Sequence, residues 1–180
     1  MSQLRTNRRS TLALLGGGAA SLALVSCGRS VEAKNFPISR TEAQWRERLT
    51  AAEFRVLRKE GTERAYSSSL DKEKRAGTFV CAGCANPVYS SRHKFDSGTG
   101  WPSFTRPLVA KNIAQDTDFK LLYPRTEIRS QHGDSHLGHL FDDGPEPTGL
   151  RYCINSAALR FVPVDKLEEE GYIEFAAHFE

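Results

Sequence analysis

The side chains most able to support covalent or acid-base chemistry in this chain of 180 residues are its four cysteines, five histidines and two tryptophans. Cys153 stands in GLRYCIN, where strand alternation puts Arg151, Cys153 and Asn155 on one face and Tyr152 and Ile154 on the other. A free thiol titrates near about 8.5, and a guanidinium beside it favours the thiolate, which is the nucleophile. The same run also reads as a buried, inert strand cysteine. Just upstream, HLGHLFDDG carries His136 and His139 three positions apart, followed by Asp142 and Asp143. These histidines suit metal binding, acid catalysis or a core, but the helical zinc motif spaces its histidines four apart around a glutamate. Acid catalysis fits better: protonated imidazoles donate to a polar oxygen, with Asp143 orienting one ring and Asp142 solvated.

Two further blocks carry chemistry. In SGTGWPSF, residues 97–104, two glycines permit a tight backbone and Pro102 stiffens it. The Trp101 indole there is either the wall of a pocket for a methyl or thioether group or simple packing. Cys81 and Cys84 form CAGC, a spacing shared by zinc knuckles and redox pairs. A closed zinc site needs four ligands and there is no second cysteine pair; a mixed site with His132 and Asp134 has no spacing rule behind it.

The elements that must position these residues are short. Thr41 with Gln44, and Thr50 with Glu53, each match a capping box, predicting helices over about 41–48 and 51–59, the second ended by Gly61. The charged, serine-rich stretch 62–77 reads as irregular surface. Beyond Gly77, apolar and β-branched runs at 78–81, 119–123, 126–129, 149–155 and 159–162 read as strands, and a brief last helix is expected near 165–170. The fold class is therefore mainly β, a small twisted antiparallel sandwich or open barrel with two or three short helices.

The N-terminal residues look like an address. Arg8 and Arg9 precede an apolar stretch from Leu12 to Val25, shorter than the roughly 20 apolar residues of a comfortable membrane span. Residues 1–26 are read as an export signal of twin-arginine and lipoprotein type, with Cys27 as the lipidated residue after Leu24, Val25 and Ser26. Residues 27–39 are then a tether and 40–180 the catalytic domain. The expected location is the bacterial cell envelope, lipid-anchored on the periplasmic face, an oxidising compartment. Removing residues 1–26 takes away Arg5, Arg8 and Arg9 and no acid, so 25 basic and 22 acidic residues become 22 and 22. A neutral mature chain gives no electrostatic ground for a nucleic-acid partner.

Taken together, VCAGCANPVYSS, KFDSGTGWPSF, RTEIRS, DSHLGHLFDDGP and GLRYCINSAALRF resemble the successive motifs of the methionine-R-sulfoxide reductases of the B type, from about Arg40 to Pro163. The resemblance implies that family's mainly β fold, Cys153 as catalytic cysteine and Trp101 packing on the substrate S-methyl group. It further implies His136, His139, Asp143, Arg151 and Asn155 as the polar residues around the sulfoxide and the thiol. The substrate would be methionine-R-sulfoxide, free or in oxidised proteins. Two departures stand out. Many members bind zinc through two CxxC pairs, and Ser130 and Gly133 occupy the second pair here, so no metal or other cofactor is expected. Some zinc-free members carry a resolving cysteine where this chain has Thr99.

The implied reaction has the Cys153 thiolate attack the sulfoxide sulfur while protonated His139 or His136 donates to the oxygen, leaving a sulfenic acid. Cys81 or Cys84 then closes a disulfide opened by a thioredoxin-like donor, or the donor reduces Cys153 directly and the pair is structural. The rival functions are a non-catalytic zinc-knuckle-like β binding module and a thiol-disulfide oxidoreductase acting through CAGC.

Overall fold

The computed structural model describes residues 36–180. The export segment 1–26, Cys27 and the tether up to residue 35 lie outside the described residues. Helices α1 (Glu42–Arg48) and α2 (Ala51–Lys59) each open with the predicted capping box, the Thr41 and Thr50 hydroxyls accepting from the Gln44 and Glu53 amides and the returning side chains accepting from the cap amides. The left-handed residue after α2 is Glu60, φ 52°, rather than the glycine. Gly61 is needed for another reason: a Cβ there would lie 2.9 Å from the Arg55 carbonyl oxygen.

Nine strands follow: β1 (Gly77–Cys81), β2 (Pro87–Ser90), β3 (Lys94–Phe95), β4 (Ser103–Phe104), β5 (Ile113–Asp118), β6 (Arg125–Ser130), β7 (Ser135–Phe141), β8 (Arg151–Ile154) and β9 (Leu159–Pro163). They form a three-stranded sheet, β2-β1-β9, and a six-stranded sheet, β3-β4-β8-β7-β6-β5, with every pair antiparallel. The two sheets close on one core, in which Phe104 of β4 meets Phe79 of β1 edge-on at 5.1 Å and stacks on Tyr89 of β2 at 4.4 Å. Ile128, Leu137, Tyr152 and Ile154 complete it, and Trp45, Val56 and Leu57 of the helices seal its end. The twisted antiparallel sandwich expected from the sequence is the fold observed.

Two expected elements are corrected. Residues 119–123 are not a strand but an exposed loop between β5 and β6, and β5 itself occupies the polar run just before them. The last helix at 165–170 is replaced by a 3-10 turn, Val164–Lys166, and a second 3-10 stretch, Ile173–His178. Gly171, φ 79°, separates them, and Tyr172 and Phe175 pack with Val80, Val162 and Leu167 as a second, smaller core.

Register decides which face carries chemistry. Phe95, Ser103, Cys153, His139, Glu127 and Asp116 are successive cross-strand partners from β3 to β5, so they form one row on the sheet face turned away from the core. His136 and His139 are three apart, a spacing that a regular strand would send to opposite faces. Between the pairs Ile128↔Gly138 and Arg129↔His136, β7 holds one extra residue, the fully buried Leu137. This bulge returns both imidazoles to the same face, their centroids 5.4 Å apart.

Candidate active site

A cavity of about 120 Å³ opens over this row, lined by Thr62, Trp101, Arg125, Gly138, His139, Phe141, Cys153 and Asn155. Cys153 is half-buried. Burial raises its thiol above the ordinary value, against the downward pull of the Arg151 charge and of hydrogen bonds from Thr99 and Arg151. Arg151 does favour the thiolate, as expected from the sequence, but desolvation of the sulfur outweighs it.

Asp143 orients neither histidine. Its two carboxylate oxygens accept from Arg151 Nε and Nη2, both at 2.8 Å, a bidentate pair that holds the guanidinium beside Cys153 and over the Phe141 ring. The carboxylates that do serve the histidines had no motif to announce them. His139 Nε2 lies 2.7 Å from Asp118 Oδ2, and His136 Nδ1 lies 2.5 Å from Glu127 Oε1. Burial would raise Asp118, but the Lys120 amide, His139 and Arg125 together hold it well below the usual carboxylate range. A carboxylate only accepts, so His139 Nε2 carries a proton and Nδ1 is the free acceptor of the neutral ring. Burial, against Asp118 and with the Arg125 and His136 charges, pushes the His139 pKa down. The ring therefore favours its neutral form more than an ordinary imidazole does. His136 is 1% exposed, its Nε2 without a hydrogen-bond partner.

Asn155 is committed to the backbone. Its Nδ2 donates to the Leu137 carbonyl at 3.0 Å and its Oδ1 accepts from the Glu63 amide at 3.0 Å, so it pins the bulge beside the cavity. Trp101 Nε1 donates to the Glu63 carbonyl at 3.2 Å, fixing the indole as one wall. The Glu63 carboxylate accepts from the amides of Ser156 and Ala157, at 2.5 and 2.9 Å, in the turn after β8. Residues 62–66 therefore organise the site rather than merely cover surface. Glu63 is a residue that sequence reading missed, together with Thr62, Asp118, Arg125, Glu127 and Phe141.

Cys81 and Cys84 are free, 1% and 7% exposed. Cys84 Sγ lies 3.1 Å from Ser130 Oγ, and a Cβ at Gly133 would fall 3.3 Å from the same sulfur. Cys81, Cys84, Ser130 and Gly133 thus converge, but two sulfurs and one hydroxyl do not make a closed zinc site. Asp134 is paired with Arg129 at 2.8 Å, and among the described residues no group of three or more His, Cys, Asp or Glu gathers around a metal position. A hydrogen bond with Cys84, and burial, push the Cys81 thiol up, while that thiol, the Ser130 hydroxyl, the Asn86 amide and the Arg58 charge pull Cys84 down against its own burial.

In this structure neither sulfur lies within disulfide reach of Cys153. Ser130 and Ile128 alternate with Glu127 and Arg129, so Cys84 sits on the core face of the sheet and Cys153 on the other. Two strand spacings and three residues separate Ser130 from Cys153, roughly 14 Å in the sheet plane, whereas a disulfide needs Cα atoms within about 7 Å. The hydroxyl that reaches Cys153 belongs to Thr99.

A strand-borne thiol facing an imidazole beneath a tryptophan wall, on an antiparallel sandwich, defines a redox-type β domain. The SelR domain model matches residues 49–163, and the chain belongs to that family. The peptide methionine sulfoxide reductase MsrB of Acinetobacter baylyi is 45% identical over 135 residues, 75% of this chain and 97% of that protein. The protein of the same name from Bradyrhizobium diazoefficiens is 49% identical over 126 residues, 70% of this chain and 91% of that one. The peptide methionine sulfoxide reductase MsrA/MsrB of Vibrio cholerae is 47% identical over 139 residues, 77% of this chain but 37% of the Vibrio protein, so the chain spans well under half of that relative.

Proposed function

We propose that this protein reduces methionine-R-sulfoxide to methionine, with Cys153 as the attacking thiol. The observation that carries the reading is the register pair Cys153↔His139, closed into one small cavity with Trp101. The indole and the Phe141 ring supply apolar surface for a thioether methyl, and the sulfoxide oxygen needs a proton as its bond to sulfur breaks.

The proton comes from within the pair. A thiol raised by burial and an imidazole lowered by burial leave one proton on sulfur at rest. His139 takes it at Nδ1 as Cys153 attacks the substrate sulfur, and the imidazolium is stabilised by Asp118. The ring then passes the proton to the oxygen. The attack forms a bond between Cys153 Sγ and the substrate sulfur. The protonated oxygen then leaves the substrate sulfur for Sγ as that Sγ–S bond breaks, releasing methionine and leaving Cys153 as a sulfenic acid. The substrate sulfur is reduced by two electrons and the cysteine oxidised by two. Arg151, held by Asp143, favours the developing thiolate. Asn155 and His136 position the strand and the ring rather than act on substrate.

Recycling falls to an external donor of thioredoxin type, because Thr99 stands where a resolving thiol would reach Cys153. Its two thiols supply two electrons and two protons, releasing water and restoring Cys153. No metal or cofactor takes part. The paired arginines, the short apolar stretch and Cys27 support export, lipid anchoring at the envelope and action on proteins there.

The test supplies dithiothreitol and each separated epimer of a methionine sulfoxide peptide to wild type and Cys153→Ser. Turnover of the R epimer alone, abolished by the substitution, is the expected result. Turnover of neither epimer by folded protein overturns the reading.

A further inference from the structure

The loop between β5 and β6 is the surface feature that chemistry at Cys153 leaves unused. Phe119, Leu121, Leu122 and Tyr123 are 74, 49, 107 and 59% exposed. Single exposed apolar side chains are ordinary, but four within five positions make a patch that calls for a partner. The loop is built onto the cavity. Asp118 and Arg125 are register partners at its neck, paired at 2.5 Å. Asp118 is also the acceptor of His139, and Arg125 lines the cavity with Cys153. Lys120 within the loop pairs with Glu60 at 2.5 Å, fixing its orientation against the end of α2. The patch therefore begins where the cavity wall ends.

We propose that residues 119–123 are a docking platform for the apolar residues that flank an oxidised methionine in an unfolded or loosely folded polypeptide. The inference rests on the methionine sulfoxide reading above and assigns its substrate class. Methionine is among the residues most often buried, so its sequence neighbours in a folded protein are mostly core residues, which become accessible with it when the chain opens. A polypeptide that places its sulfoxide side chain over Cys153 and leaves across Arg125 runs onto this patch, continuous with the cavity. A lipid surface is the less favoured occupant. Interfacial binding draws on free basic side chains beside the apolar ones, and the lysine in this loop is already held by Glu60.

The test compares three R-sulfoxide substrates with the full chain: N-acetylmethionine sulfoxide, a peptide flanked by leucine and phenylalanine, and one of equal length flanked by serine and glycine. Wild type is expected to prefer the apolar peptide through KM. The combined variant Phe119→Ser, Leu121→Ser, Leu122→Ser and Tyr123→Ser loses about tenfold or more on that peptide, again in KM, and keeps its rate on N-acetylmethionine sulfoxide. Equal kcat/KM for the two peptides in wild type overturns the platform, and so does an equal loss by the variant on all three substrates. Vesicles of phosphatidylcholine and phosphatidylglycerol that bind wild type and release the variant, with peptide preference unchanged, reassign the patch to lipid. No turnover of even N-acetylmethionine sulfoxide by wild type sinks the underlying reaction instead, which keeps the two failures apart.

Discussion

His139 donates its Nε2–H to the Asp118 carboxylate at 2.7 Å, from β7 to β5 across the intervening strand β6. The bond fixes the tautomer and leaves Nδ1 as the free acceptor of the neutral ring, the atom that takes the Cys153 proton in the proposed reaction. Asp118→Asn keeps an acceptor but removes the charge that steadies the transient imidazolium. A charge-assisted hydrogen bond contributes about 1.5–3 kcal/mol, so kcat is expected to fall about 10- to 100-fold with KM little changed. Single-turnover rates across the two proteins check this, and an unchanged kcat would show that His139 never becomes charged in the reaction.

The two opposed shifts set a pH profile. Below the lowered pKa of His139 the ring is already protonated and cannot take the thiol proton, so kcat/KM falls as pH drops beneath the ordinary imidazole range. Above the raised pKa of Cys153 the thiolate is free, but the proton that the oxygen needs is gone, so activity falls again on the alkaline side. The expectation is a broad plateau across neutral pH. Arg151→Met removes the cation that favours thiolate: the plateau should drop about tenfold and its alkaline limb move to higher pH. An alkaline limb that stays in place would show that Arg151 does not act on the thiol.

Much of this geometry was legible in the sequence, and the exceptions have physical causes. The two capping boxes and the strands around Cys153 were readable because their signals are local: a hydroxyl three residues before an acid or amide, and β-branched alternation. Strand β5 was not, since IAQDTD is a polar edge strand with little to bury. The apolar FKLLY run beside it drew the strand assignment instead. Asp118 and Glu127 were missed because they reach the histidines through register between strands, which no spacing along the chain encodes. Glu63 lay in a segment that composition alone marks as surface, yet its backbone bonds to Trp101 and Asn155 hold two walls of the cavity.

Gly138, between the two histidines, is fixed by close approach. A Cβ there would lie 2.0 Å from the Cys153 carbonyl oxygen and 2.9 Å from Ile154 Cα, so β8 cannot stay in register beside an alanine. Gly138→Ala is expected to cost about 3 kcal/mol or more in stability, and to lose activity even below its melting temperature by moving Cys153 from His139. Thermal unfolding together with kcat on the folded fraction checks both. A native-like Tm with full activity would mean that β7 and β8 separate here at little cost.

Thr99 offers the sharpest test of recycling. Its hydroxyl, with the Arg151 guanidinium, pulls the Cys153 thiol down against burial, and it is braced by Ser97 at 2.8 Å, which also contacts Ser103 at 2.7 Å. In wild type, one equivalent of sulfoxide without reductant should leave Cys153 as a sulfenic acid, with Cys81 and Cys84 still free thiols. Thr99→Cys puts a thiol in the same contact, where it should condense with the sulfenic acid, release water and give a 99–153 disulfide. Mass mapping after non-reducing digestion distinguishes the two products. The variant should then accept electrons from a dithiol donor through that disulfide, whereas wild type must expose the Cys153 sulfenic acid to the donor directly. A disulfide from Cys153 to Cys81 or Cys84 in wild type would mean that the six-stranded sheet opens during turnover, since the two thiol sites lie on its opposite faces.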